Sequence, residues 1–210
     1  MRTEAMRRRA GTRWWLACGL LSSMVVTSGV GAQETPGGAA IETPWRVVVG
    51  QPMMNLHSRA LPFDAPEWWL SHHVATQNGP APENPKPVWI QFGFMGCAPC
   101  EQLAALAGRE LPGVEKVYVH LDNILLSDQK ELYPNKPALW RALVDYAGKP
   151  AYAGFTFLYG NGEPLLQQLC GREARVPSAI LVGADGRVAA VLSSPSEADA
   201  RAAFARVSAR

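Results

Sequence analysis

Four cysteines in 210 residues are too few for a disulfide framework. Only Cys97, Cys100 and Cys170 fall after residue 32, an odd number with one close pair. Neither a second C-x-x-C nor a spaced histidine pair accompanies Cys97-Ala98-Pro99-Cys100, so a zinc centre would be short of ligands. Charge is scarce as well. Five of the 20 Lys+Arg and one of the 18 Asp+Glu precede Gln33, leaving 15 basic and 17 acidic residues, a net charge of −2 and no basic cluster. That balance excludes nucleic acid and anionic membrane surfaces as partners. What the chain does have is 48% hydrophobic residues, enough for one compact core.

The beginning is unlike the rest. Arg2, Arg7, Arg8, Arg9 and Arg13 precede an apolar run from Trp14 to Val26, followed by small residues that end in Val30-Gly31-Ala32. This is the layout of a secretory signal, with cleavage expected before Gln33. Residues 1–32 are therefore read as a signal peptide and the protein as periplasmic or otherwise exported. The apolar run is short for a membrane span, but the uncharged stretch 27–32 extends it, so an uncleaved anchor is the alternative. Cys18 stands too close to the arginines for a lipidation site. Arg7-Arg8-Arg9 is no more basic than ordinary export signals.

Residues 33–87 read as an N-terminal extension. Its Pro- and Gly-rich start has no periodicity, Trp45-Arg46-Val47-Val48-Val49 has the composition of a short strand, and Trp68-Trp69 between prolines suggests an irregular segment packed on something larger. Regular signals begin at Val88. Val88-Trp89-Ile90-Gln91-Phe92 predicts a strand buried on both faces. Leu103, Leu106, Ala107 and Leu111 recur at helical spacing until Pro112-Gly113, and Val117, Val119 and Leu121 alternate with Tyr118 and His120 as a second strand. The order strand, helix, strand implies a parallel crossover.

Near the C-terminus, Ala179-Ile180-Leu181-Val182 and Val188-Ala189-Ala190-Val191-Leu192 flank Asp185-Gly186, a hairpin signal. Ser194-Pro195-Ser196-Glu197 then predicts a helix start, with Ser194 as cap and Glu197 closing a capping box. Between the halves, residues 123–175 are too long for a bare connection. Pro137 to Ala147 has a helical face of Leu139, Ala142, Leu143 and Tyr146, Phe155 to Tyr159 suits a strand, and the stretch ending at Cys170 reads as either a helix or, through Asn161-Gly162, a hairpin.

The chemistry lies in Cys97 and Cys100. A C-x-x-C that leaves a buried strand and opens a helix aims first-turn N–H groups and the helix dipole at the first sulfur, favouring its thiolate. Cys97 is then the nucleophile toward a partner disulfide, and Cys100 attacks Cys97 to release the reduced partner. Pro99 fits the first turn, where a missing N–H costs little. With uncharged Ala98 and Pro99 between the sulfurs, only backbone dipoles stabilise the thiolate, a tendency toward a less oxidising centre.

The run Gln91-Phe92-Gly93-Phe94-Met95-Gly96-Cys97-Ala98-Pro99-Cys100 resembles the active-site segment of the thioredoxin superfamily, especially its exported TlpA-like reductases, and Val176-Pro177-Ser178 resembles its second signature. The resemblance implies an α/β thioredoxin fold over 88–210, a central mixed sheet flanked by helices, with a helical insertion between the second core strand and a cis-proline loop. It further implies that Val176 offers its backbone to an extended substrate segment and that Pro177 shields Cys97. The implied activity is dithiol–disulfide exchange with protein partners, in the reducing direction. A membrane electron donor would restore the dithiol. No cofactor beyond the Cys97–Cys100 pair is implied. Oxidase or isomerase activity is the alternative. Gly96 stands where the family usually has Trp, and Gln91 where thioredoxin has a buried Asp that assists proton transfer.

Blander readings stand beside these. The cysteine pair could be a structural disulfide. Cys170, flanked by apolar residues, reads as buried and inert, with a resolving thiol as the alternative. Met53-Met54, His57 and His72-His73 raise copper delivery, because thioether, imidazole and thiolate all suit copper.

Overall fold

A computed structural model of the chain describes residues 47–61, 64–121, 136–160, 162–171 and 174–208. The expected signal segment, Trp45 and Arg46 lie outside them, as does 122–135 of the expected insertion. All the described residues belong to one compact unit, Ile41–Arg210. Among them no helix is long and apolar enough to cross a membrane.

A seven-stranded sheet organises the unit. Its strands are β1 (His57–Ala60), β2 (Glu67–Trp69), β3 (Val88–Gly93), β4 (Glu115–His120), β5 (Phe155–Tyr159), β6 (Ser178–Val182) and β7 (Val188–Ser193), in the order β2-β1-β5-β4-β3-β6-β7. The helices are α1 (Ala98–Glu110), α2 (Lys136–Ala147), α3 (Gly162–Cys170) and α4 (Glu197–Ser208). β3 pairs parallel with β4 and antiparallel with β6, and β4 pairs parallel with β5. The parallel pairs are the expected crossover geometry, with α1 returning the chain from β3 to β4.

Alternation along β3 divides the core. Val88, Ile90 and Phe92 join Val117, Val119, Ile180 and Leu158 on one face, covered by Leu165, Leu166 and Leu169 of α3 and by Met53 and Leu56 of the N-terminal segment. Trp89 points to the other face, where Leu103, Leu106 and Ala107 of α1 meet Ala200, Ala203 and Phe204 of α4. Trp89 and Phe204 meet edge to face with centroids 5.2 Å apart. Burying a ring such as Phe204 contributes roughly 1.5–3 kcal/mol, so this side-chain interlock fastens α4 to the sheet.

The structure revises four local expectations. Val47-Val48-Val49 is not a strand: the Val47 N–H bonds to the Leu169 carbonyl, Gln51 turns back on Val48, and Val48 and Val49 are exposed. A β-branched run without a cross-strand partner has nothing to hold it extended. Trp68-Trp69, read as irregular, forms β2, whose neighbour β1 pairs antiparallel with β5 through Arg59–Tyr159 and Ala60–Leu158, so the extension lengthens the sheet. The insertion is not wholly helical, because it carries β5 between α2 and α3; its last element resolves the helix-or-hairpin ambiguity as a helix. Finally, α4 starts two residues later than its signal suggested. Ser196 and Asp199 cap each other reciprocally, the Ser196 N–H donating to the Asp199 carboxylate at 3.0 Å and the Asp199 N–H to the Ser196 hydroxyl at 3.2 Å. Ser194 instead donates its N–H to the Pro177 carbonyl at 2.8 Å.

Candidate active site

The edge of the sheet where β3 ends gathers the chemistry. Gly93 closes β3, and Gly96, at φ +82°, reverses the chain into α1. A Cβ at 96 would meet no atom within 4 Å, so it is the backbone conformation, not lack of space beside the Cα, that favours Gly there. Cys97 is the N-cap of α1 and Pro99 lies in its first turn. Cys97 and Cys100 form a disulfide, with Cα atoms 5.2 Å apart.

The two sulfurs differ in setting. Cys97 keeps 6% of its surface exposed and Cys100 none. The Cys97 sulfur also accepts the Cys100 N–H at 3.3 Å, a first-turn donor of the kind that favours a thiolate. Met95, Phe94 and Val176 crowd the pair, so the exposure left to Cys97 is narrow.

Val176 and Pro177 sit at the same edge. The register pairs Phe92 with Ser178, so the loop before β6 faces the end of β3, and the Val176–Pro177 bond is cis. Pro177 is buried, and Val176 is half-buried against the cluster that contains both cysteines.

Beneath the disulfide, Gln91 is fully buried. Its amide donates to the Cys100 carbonyl at 2.7 Å, and its oxygen accepts the Trp89 indole N–H at 3.3 Å. It is a structural fastener for α1 with no proton to exchange. At the rim, Glu101 pairs with Lys149 at 2.6 Å, and the Lys149 ammonium stands 4.7 Å over the Tyr146 ring.

Sequence reasoning missed the tyrosines. Tyr118 of β4, Tyr146 of α2 and Tyr152 of the 3₁₀ turn Pro150–Tyr152 pack together beside Cys100. Tyr146 donates to the Phe94 carbonyl at 3.2 Å and shares a short hydrogen bond with Tyr152. Burial raises the pKa of all three phenols. The available signal was the alternation of β4, which put Tyr118 opposite the valines. Both faces of that strand are buried at its end, so the tyrosine face is covered as well as the valine face.

The residues that suggested copper do other work. Met53 is in the core, Met54 sulfur accepts the Gln168 amide at 3.6 Å, His57 stacks on Trp69 at 4.4 Å, and His73 stacks on Trp68 at 5.4 Å. His72 is exposed. Among the described residues no three of His, Cys, Asp or Glu gather as a metal site. Cys170 is a buried free thiol whose pKa desolvation pushes up to about 12.

No protein-family model matches the chain, and no curated protein matches it in sequence. Solved structures do match its shape. A candidate protein disulfide isomerase of Bacteroides thetaiotaomicron is 12% identical with a TM-score of 0.56, over 78% of this chain and 90% of its own. A candidate thiol:disulfide interchange protein, DsbE, of Chlorobium tepidum is 19% identical with a TM-score of 0.50, over 78% and 97%. A candidate thiol-disulfide oxidoreductase of Bacteroides vulgatus is 16% identical with a TM-score of 0.50, over 76% and 96%. The chain has the thioredoxin fold.

Proposed function

We propose that the protein is an exported thiol:disulfide oxidoreductase of the TlpA-like kind, exchanging dithiol for disulfide with protein partners through Cys97 and Cys100. One observation carries the reading: the two cysteines are bonded at the start of α1, with the outer sulfur facing a backbone N–H and the inner one fully buried. Three proteins of the same fold bear names from disulfide chemistry, which accords with it.

In the reducing direction the Cys97 thiolate attacks a client disulfide. A Cys97–client sulfur bond forms, and the displaced client sulfur leaves with its electron pair and takes a proton. Cys100 then loses its proton and attacks Cys97; the mixed disulfide breaks, and the second client sulfur leaves as a thiol. The client gains two electrons and two protons, and the enzyme is left as the Cys97–Cys100 disulfide. An extended client segment would lie against the Val176 backbone, with Pro177 limiting approach to Cys97. A membrane electron donor restores the dithiol. The neutral Ala98-Pro99 insert supports the reducing direction over oxidase or isomerase activity.

Catalysed reduction of a small disulfide by the dithiol protein is the test. Cys97→Ser should abolish it, and Cys100→Ser should accumulate a mixed disulfide whose partner identifies the client. Turnover that survives Cys97→Ser would end this reading.

A further inference from the structure

In the cycle above, Cys100 must ionise while wholly shut off from water. Desolvation opposes that ionisation, and Gln91 supplies no base. Gly93 shows what stands beside this sulfur instead. A Cβ built on Gly93 would stand 2.2 Å from the Tyr118 hydroxyl oxygen and 2.8 Å from the Cys100 sulfur, so the two atoms converge on one point across the bare glycine. Tyr118 is fully buried; its oxygen is 3.5 Å from the Phe94 carbonyl, a long bond, and the Tyr146 and Tyr152 hydroxyls also stand within its hydrogen-bonding reach. That carbonyl is already taken by Tyr146 at 3.2 Å, and Tyr146 is tied in turn to Tyr152.

We propose that Tyr118 donates a hydrogen bond to the Cys100 sulfur as it becomes a thiolate, with Tyr146 occupying the Phe94 carbonyl that would otherwise compete for the same hydrogen. The proposal rests on the exchange reading and deepens it. The Cys100 proton ends on the departing client sulfur, and Tyr118 keeps its own throughout, so the step needs no further reactant. Burial raises the Tyr118 pKa, which keeps the phenol a donor. The titratable groups packed with Cys100 are Cys97 on its own helix, Tyr118 from β4, Tyr146 from α2 and Tyr152 from the 3₁₀ turn, with His120 two residues along the Tyr118 face and Glu101 and Lys149 at the rim. Glu101 and Lys149 neutralise each other at the rim.

The experiment mixes the reduced full chain with an aromatic disulfide whose thiol product is coloured, and follows release rapidly at a series of pH values. The phase that Cys100→Ser removes is the resolving step. Tyr118→Phe, which loses only an oxygen, should raise the pH midpoint of that phase by about one unit and slow it about tenfold at neutral pH, leaving the first attack by Cys97 unchanged. Tyr146→Phe should move the midpoint the same way by less, because the Phe94 carbonyl is freed to capture the Tyr118 hydrogen. Phe157→Leu, which removes the ring stacked 4.8 Å from Tyr118 but keeps the hydroxyl, should leave the midpoint in place. An unmoved midpoint in Tyr118→Phe, equal slowing of both phases, or an equal shift in Phe157→Leu would overturn the proposal. A parent protein with neither phase would instead remove the exchange reading beneath it.

Discussion

The Gln91 amide donates to the Cys100 carbonyl across 2.7 Å while its oxygen receives the Trp89 indole N–H, so one neutral side chain ties the first turn of α1 to the strand beneath it. Gln91→Leu would keep the volume and lose both bonds, leaving a buried indole N–H unpaired. The expected cost is about 1–3 kcal/mol in urea unfolding. Gln91→Glu separates charge from shape. A carboxyl buried there ionises only well above its unfolded value, so the variant should match the parent near pH 4 and lose stability as pH rises through the raised pKa. A loss that does not vary with pH would contradict this account of the site.

Gly93 lies against both the Tyr118 hydroxyl and the Cys100 sulfur. A methyl group at that point would overlap both, and neither a packed ring nor a disulfide can retreat far. We expect Gly93→Ala to cost about 1–3 kcal/mol and to slow exchange together with it. Unaltered unfolding and unaltered turnover in this variant would show that the space is more yielding than the geometry indicates.

How far the sequence foretold these features depends on whether the signal was local. β3, α1 and the β6–β7 hairpin were legible because each is specified by its own residues: a continuous apolar run, a helical repeat ended by Pro112-Gly113, and Asp185-Gly186. Cys97 and Cys100 were equally plain. β1 and β2 were not, since their few residues become strands only by pairing with each other and with β5 from far along the chain. Tyr118 was hidden for the same reason. Alternation says which residues share a face, but the cover on that face comes from α1, α2 and the turn at Tyr152, and nothing near Tyr118 in the sequence announces them.

Cys170 should behave as a thiol in name only. With a pKa of about 12, about one molecule in ten thousand carries its thiolate at pH 8, and the side chain has no exposed surface. In the reduced native protein, alkylation at pH 8 followed by peptide mapping should label Cys97 readily and Cys170 only after denaturation. Labelling of Cys170 at a comparable rate in the folded state would restore a role for it in resolving client disulfides.

His73 gives the fold an acid-sensitive point away from the cysteines. Burial lowers its pKa from 6.5, opposed by the attraction of Glu115 and reinforced by His72 and Lys86. The unfolded chain takes up a proton near 6.5 and the folded chain only at lower pH, so between the two values the unfolded state holds more protons and stability rises with pH. The contribution is fully present above 6.5 and is lost as pH falls toward the folded value. His73→Phe retains a ring to stack on Trp68 and removes the proton site. Melting temperatures measured from pH 7.5 down to 5 should therefore fall more steeply for the parent than for His73→Phe. Parallel curves would mean that the imidazole is as easily protonated in the fold as out of it, and that the Trp68 stack tolerates the charge.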